Sequence, residues 1–356
     1  KKIFSIYVLF VLIFLLLTTK YLSLNDIIHI ASQWDVISYT EIAKYAPNLP
    51  YDNENIMKHI SQRFFLPYFA GLISFYTGIQ IFLIFKILTF LFILIFVFVI
   101  YLCLNKSDLS FENKILFFSL LCLNPYIIRH HIFQPVQAHD MLLFSFTIII
   151  SYLIIFNKNK LILFFSTFPI FLRQSSIALF IGSLLLLIKN KKYFLSLILI
   201  IIFFTFFKYI TYISNIISTD SFNLRYAYGI LFYNFSEIDK LIKFLLLPLV
   251  SFFPLIIFIF SKIKKNYDKK TILILLFMCA MMVGQPILAG PDYSGRNVVR
   301  IATLCYPILL TLLFYAFNPS YLTSRKYLYY PFIFCLFVWS LHPTFSIINF
   351  FSILRF

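Results

Sequence analysis

Charge, glycine and proline are all scarce in this 356-residue chain: Asp, Glu, Lys and Arg make up 12% of it, beside 7 glycines and 14 prolines. So few charged side chains cannot cover the water-facing surface of a soluble protein of this size. The low Gly and Pro content excludes collagen-like and low-complexity chains. Acids are the scarcer charge, 13 against 30 Lys plus Arg, for a formal net charge of +17. The basic residues fall in short clusters between apolar runs, so the charge does not read as a nucleic-acid footprint, and no nucleic-acid partner is expected. Cysteine is also sparse. Cys103, Cys122, Cys279, Cys305 and Cys335 all lie inside apolar segments without C-x-x-C spacing, and read as small buried hydrophobes rather than metal ligands or disulfides.

Apolar residues make up 62% of the chain, Phe alone 48 residues, and the mean hydropathy is +0.93. That composition belongs to a polytopic membrane protein. Because unsatisfied backbone is costly in lipid, apolar runs of about 20 residues should be helices, which makes the fold all-α. Runs near 3–24, 79–104, 115–133, 140–156, 193–212, 241–261, 271–289, 298–317 and 328–348 predict about nine full transmembrane helices. The first is expected to stay as an anchor, since no A-x-A cleavage site follows it. The stretch 161–188 is apolar but interrupted by Pro169 and Arg173, which predicts a pair of short or re-entrant helices. Phe64–Gly78 is too short to span and reads as an external juxtamembrane helix. The chain reads as a single transmembrane domain over 1–356, with a catalytic-type module in 1–210 and C-terminal helices in 211–356.

Two kinds of connection alternate along the chain. Segments 105–114, 157–160, 189–192, 262–270 and 318–327 are short and basic; with Lys1 and Lys2 they hold more than half of the 30 basic residues. Segments 25–63, 124–139, 211–240 and 290–297 form the other set, and the first of them carries five acids. The positive-inside rule places the lysine set and the N-terminus in the cytoplasm, and the second set outside.

Polar residues that could carry chemistry concentrate in that external set. Asp35 and Tyr39 share one helical face with Ile42 and Ala43, and Arg63 closes the first loop. A helix cap at Asp35 and a snorkelling Arg63 are the plainer alternatives. The second loop packs Arg129, His130, His131, His139 and Asp140 into 12 residues, more than an N-cap at Asp140 requires. The histidine spacing matches no standard metal pattern. Arg173, followed by Gln174, is the most informative residue, because a guanidinium at membrane depth needs an anionic partner or a hydrated cavity. No predicted span holds an acid in its interior, and that favours a ligand phosphate over an internal ion pair. Arg225, and Arg296 with Arg300 at i, i+4, add cations to the later external segments. Lys20, Lys86 and Lys208 read as snorkelling residues.

An acid just after the first span, a second acid in the next external loop and late external cations together resemble the GT-C superfamily of membrane glycosyltransferases. Trp34-Asp35…Tyr39…Ile42-Ala43 looks like the first-loop acidic motif of that superfamily, and Arg63-Phe64-Phe65-Leu66-Pro67 like the start of its juxtamembrane helix. Asp140 falls where the second acid is expected, Arg173-Gln174 resembles the basic turn between two short helices, and Arg296…Arg300 the late phosphate-binding element. The resemblance implies transfer of a sugar from a polyprenyl-phosphate donor to a glycan, lipid or protein acceptor, in a site on the extracytoplasmic face. It implies Asp35 as general base and Asp140 as the group that orients the acceptor or holds a divalent cation (Mg or Mn), with Asp35, Asp140 and His139 as the residues available to such an ion. Tyr39, Arg63, Arg129, His139, Arg173, Gln174, Arg225, Arg296 and Arg300 are the implied substrate contacts. Three other classes stand beside this one: a transporter or flippase of lipid-linked saccharides, a polysaccharide polymerase or ligase, and an assembly factor. The 7 glycines and the lack of an internal repeat count against transport.

Overall fold

The computed structural model describes residues 2–19, 34–219, 228–264, 267–295 and 297–341, and these are overwhelmingly helical. Among them, five helices are long and apolar enough to cross a membrane, or six if a pair bent by 44° counts as one span. The expected all-α architecture is present, with several helices long and apolar enough to cross a membrane; nine helices of that length are not found among the described residues.

Among the described residues, the α-helices longer than one turn are, in chain order, α1 (Lys2–Thr18), α2 (Trp34–Tyr45), α3 (Phe65–Thr77), α4 (Ile81–Lys106), α5 (Phe111–Cys122), α6 (Ile128–Phe133) and α7 (Ala138–Ile155). Then come α8 (Asn159–Thr167), α9 (Ile177–Lys189), α10 (Tyr193–Ile217), α11 (Ile238–Phe252), α12 (Lys269–Tyr293), α13 (Asn297–Thr303), α14 (Tyr306–Ala316) and α15 (Lys326–Ser340).

Two expected spans are broken, each for a local reason. The 115–133 run stops at Cys122 because Asn124-Pro125 turns the chain. Asn124 Oδ1 accepts from the Tyr126 N–H (3.1 Å), its Nδ2 donates to the Ser251 carbonyl (3.2 Å), and Pro125 offers no donor to continue a helix. The 298–317 run bends by 44° between α13 and α14, and Pro307 occupies the first turn of the second piece. The 3–24 and 328–348 runs are helical from 3 to 18 and from 328 to 340, and their parts beyond residues 19 and 341 lie outside the described residues. The two short pieces take the form expected of them. Segment 64–78 is the 13-residue α3, closed by Gly78 in the left-handed region (φ 69°). Segment 161–188 is two short helices: a 3-10 turn carries α8 on to Phe171, and the chain resumes as helix from Gln174.

Phe85, Phe96, Phe118 and Phe144 are fully buried in a core built around α4 and α7, which pack along each other, with α14 against α7 and α5. Helix α9 packs on both α10 and α12. Helices α2 and α3 approach closely at Gly71, where any Cβ would overlap the Ala43 carbonyl oxygen. The first-loop segment between them docks on the far end of α10. The Asp52 and Asn53 N–H groups bond the Ile216 and Ile217 carbonyls (both 3.0 Å), Lys58 Nζ donates to Ser214 O (3.1 Å), and Ser218 Oγ donates to Ile56 O (2.6 Å).

The basic connections gather at one end of the molecule. Lys189 forms an ion pair with Asp268, Asn190 bonds both Asn157 and Asn159, and Lys262–Ile263 pairs antiparallel with Phe317–Asn318. Helix α7, with 18 residues, is about 27 Å long. It separates that end from the polar residues at its own first turn.

Candidate active site

Four segments remote in sequence bring their polar side chains into one buried ring. Tyr39 comes from α2, Arg63 from the turn before α3, His139 and Asp140 from the first turn of α7, and Arg173-Gln174 from the break between α8 and α9. The break is what frees Arg173. Its backbone is extended (φ −165°, ψ 148°) and its side chain is 3% exposed. Asp140 is fully buried, and Nη1 of Arg173 lies 2.7 Å from each of its carboxylate oxygens. His139 Nε2 stands 3.3 Å from Asp140 Oδ1 and 3.3 Å from the Tyr39 hydroxyl. Arg63 Nη1 donates to that hydroxyl (3.2 Å) and its Nε to Gln174 Oε1 (3.0 Å). Gln174 Nε2 donates to the His59 carbonyl (2.9 Å) and to Gln62 Oε1 (2.5 Å). The contacts run Gln174–Arg63–Tyr39–His139–Asp140–Arg173, and the backbone joining Arg173 to Gln174 completes the circuit.

The expectation that Arg173 has no acidic partner is overturned: Asp140 is that partner. The apolar run 140–156 predicts a span that opens at Asp140. Helix α7 instead starts at Ala138 within the protein, with Gln137 at the N-cap, so Asp140 points into packed protein and not into a loop. The capping alternative for Asp140 fails on the same geometry. Arg63 does not snorkel either; it is 8% exposed and bonded within the ring.

Arg300, on α13, is buried and lies close enough to act electrostatically on His139, Asp140 and Arg173. Arg129 is nearly completely buried, but its hydrogen bonds run to the end of α1, from Nη2 to Thr18 Oγ1 (2.7 Å) and from Nη1 to Thr18 O (3.3 Å). A guanidinium suits that position, because the last carbonyls of a helix carry partial negative charge. The Asp35 side chain and the residues Arg225 and Arg296 lie outside the described residues. The helical register nevertheless puts Asp35 one turn before Tyr39.

Sequence reasoning singled out the histidine cluster but missed Gln62, Ser175 and Ser176. His131 Nδ1–H donates to the Ile127 carbonyl (2.6 Å), and its Nε2 stands 4.0 Å from Asp140 Oδ2, beyond hydrogen-bond reach. Its neighbourhood was visible in the histidine cluster, whereas nothing in the pattern marked Gln62. The hydroxyls of Ser175 and Ser176, directly after Arg173-Gln174, and Nδ1 of His139 are buried with no hydrogen-bond partner among the described residues.

A divalent cation does not fit His139 and Asp140 as they stand. Both carboxylate oxygens already face the Arg173 guanidinium, and no group of three His, Cys, Asp or Glu side chains suited to a metal occurs among the described residues. Arg63, Arg173 and Arg300 outnumber the one carboxylate of Asp140, and such an excess of buried cations is suited to an anion. No protein-family model matches the chain, and no curated protein or solved structure matches it either.

Proposed function

We propose that the chain is a membrane glycosyltransferase of the GT-C kind, which moves a sugar from a polyprenyl-phosphate donor to an acceptor hydroxyl on the extracytoplasmic face. One observation carries the reading. The first-loop helix, the juxtamembrane segment, the second-loop acid and the basic turn are far apart in sequence, and they meet in one buried ring through Tyr39, Arg63, Asp140 and Arg173-Gln174. Ionisable groups at such depth are expensive and mark functional sites by default.

In this reading Asp35, one turn before Tyr39, takes the proton of the acceptor hydroxyl. The acceptor oxygen bonds to the anomeric carbon as the bond from that carbon to the phosphate oxygen breaks, and the electron pair leaves with polyprenyl phosphate. A positioned base supplies about 10²–10⁴-fold. The guanidinium groups of Arg63 and Arg300, with the Ser175 and Ser176 hydroxyls, stabilise the charge that grows on the leaving phosphate. Asp140 and Arg173 hold each other and so fix the break between α8 and α9, and Arg173 contributes its charge to the pocket. Arg225 and Arg296 remain proposed phosphate contacts of the later segments. The finer topology belongs to the same reading: N-terminus in the cytoplasm, α3 on the outer face, and the end that gathers Lys189, Lys262 and Asn157 inside. The convergence of the basic connections at one end supports it.

The test is transfer by the purified chain in proteoliposomes, with radiolabelled polyprenyl-phosphate sugars as donors. Transfer that Asp35→Asn abolishes without loss of folded protein supports the reading. Transport of an intact lipid-linked saccharide across the bilayer, with no glycosidic bond formed, would replace it with the flippase reading.

A further inference from the structure

At the end opposite the buried ring, a groove of about 460 Å³ lies between α12 and α14, beside the two-residue strand Lys262–Ile263. That is the size of a ligand cleft. Ile272 and Leu276 of α12 and Leu309 and Leu313 of α14 form its sides, so hydrocarbon meets hydrocarbon along its length. Lys269 also lines it. Lys262 and Lys270 adjoin it in sequence, and all three lysines are exposed. The one acid of this segment, Asp268, is already engaged: it pairs with Lys189, accepts from the Lys270 N–H (3.0 Å) and accepts from Thr271 Oγ1 (2.9 Å). The three ammonium groups are therefore not neutralised by it.

An apolar trench with Lys269 in its lining and two more exposed lysines next to it in sequence, directly before a helix long enough to span, matches a molecule with a hydrocarbon chain and an anionic head. A zwitterionic lipid gains the trench but no net attraction to the lysines. A small soluble anion gains the lysines but not the trench. We propose that this groove binds an anionic phospholipid, its acyl chain between α12 and α14 and its phosphate against Lys262, Lys269 and Lys270. The site lies away from the buried ring and goes beyond the transferase reading. Its test reads lipid binding, so failure here leaves that reading untouched.

The experiment titrates the full chain, in neutral-detergent micelles at low ionic strength, with phosphatidylglycerol, phosphatidylcholine or glycerol 3-phosphate, and counts bound molecules by native mass spectrometry. Phosphatidylglycerol should bind saturably, on the order of a hundredfold more tightly than phosphatidylcholine, the combined effect expected of three lysines near a membrane surface. The triple variant Lys262→Gln/Lys269→Gln/Lys270→Gln changes only exposed side chains and should bring the two lipids to equal affinity. Leu313→Trp should weaken both lipids by filling the trench; Leu276→Trp, on the more exposed wall, does the same if the first variant does not fold. Equal binding of the two lipids by the wild type would overturn the proposal. So would undiminished phosphatidylglycerol binding by the triple-lysine variant, or binding of glycerol 3-phosphate as tight as that of the lipid.

Discussion

Removing Asp140 should harm this protein more than removing Arg173, although the two form one ion pair. Each side chain is buried, and breaking a buried pair from one side costs about 3–5 kcal/mol, because the surviving charge keeps its desolvation penalty and loses its partner. The surroundings of the two survivors differ. Without Asp140, Arg173 is left with Arg63 and Arg300, both of which act on it as like charges. Without Arg173, Asp140 still has His139 at 3.3 Å and the field of Arg300. Asp140→Asn should therefore fall near the top of that range and Arg173→Met near the bottom. The double variant removes both charges, so it should cost well under the sum, with a coupling of at least about 2 kcal/mol. Unfolding by sodium dodecyl sulfate in mixed micelles, followed for all four proteins, measures the cycle. Effects that add within about 0.5 kcal/mol would show that the pair is not coupled and that Arg173 answers to something else. A costlier Arg173→Met than Asp140→Asn would refute the argument from the neighbouring arginines.

Arg63→Lys keeps the charge but cannot place one donor on Gln174 and another on Tyr39, so kcat/KM for sugar transfer should fall on the order of 10²-fold while expression and unfolding midpoint change little. Gly71→Ala puts a methyl group into the Ala43 carbonyl and should cost about 1–3 kcal/mol, whereas Gly284→Ala, within α12 and in open space, should be neutral or stabilise by up to about 1 kcal/mol; the same micelle titration separates them. The Lys189 hydrogen bond holds the Asp268 carboxyl below the ordinary carboxylate range, so its contribution is complete above the unfolded value of about 4 and is lost as pH falls through the lower folded value. Thermal midpoints of wild type and Lys189→Gln should thus differ at pH 7 and converge below that window, and a gap that persists in acid would refute the assignment.

The features legible in the sequence were those that a local pattern dictates. Hydropathy marks apolar runs whatever they pack against, so the all-helical fold with long apolar helices followed from composition. Pro169 and an isolated Arg173 mark a break wherever they occur, and the break is there, between Phe171 and Gln174. The illegible part depends on which segments meet. Counted along the chain, Arg173 stands far from any acid. In space Asp140, 33 positions earlier, touches it, because α7 begins two residues before that carboxylate and carries it inward. Asn124 misled in a similar way. Its side chain replaces helix bonds with local and long-range ones of its own, so a run long enough to span became two pieces. Both errors arise from treating each apolar run as an isolated rod in lipid. Within a bundle, a polar side chain finds its partner on another helix. The cost that made Arg173 look like a ligand site is then met by the protein itself, through Asp140.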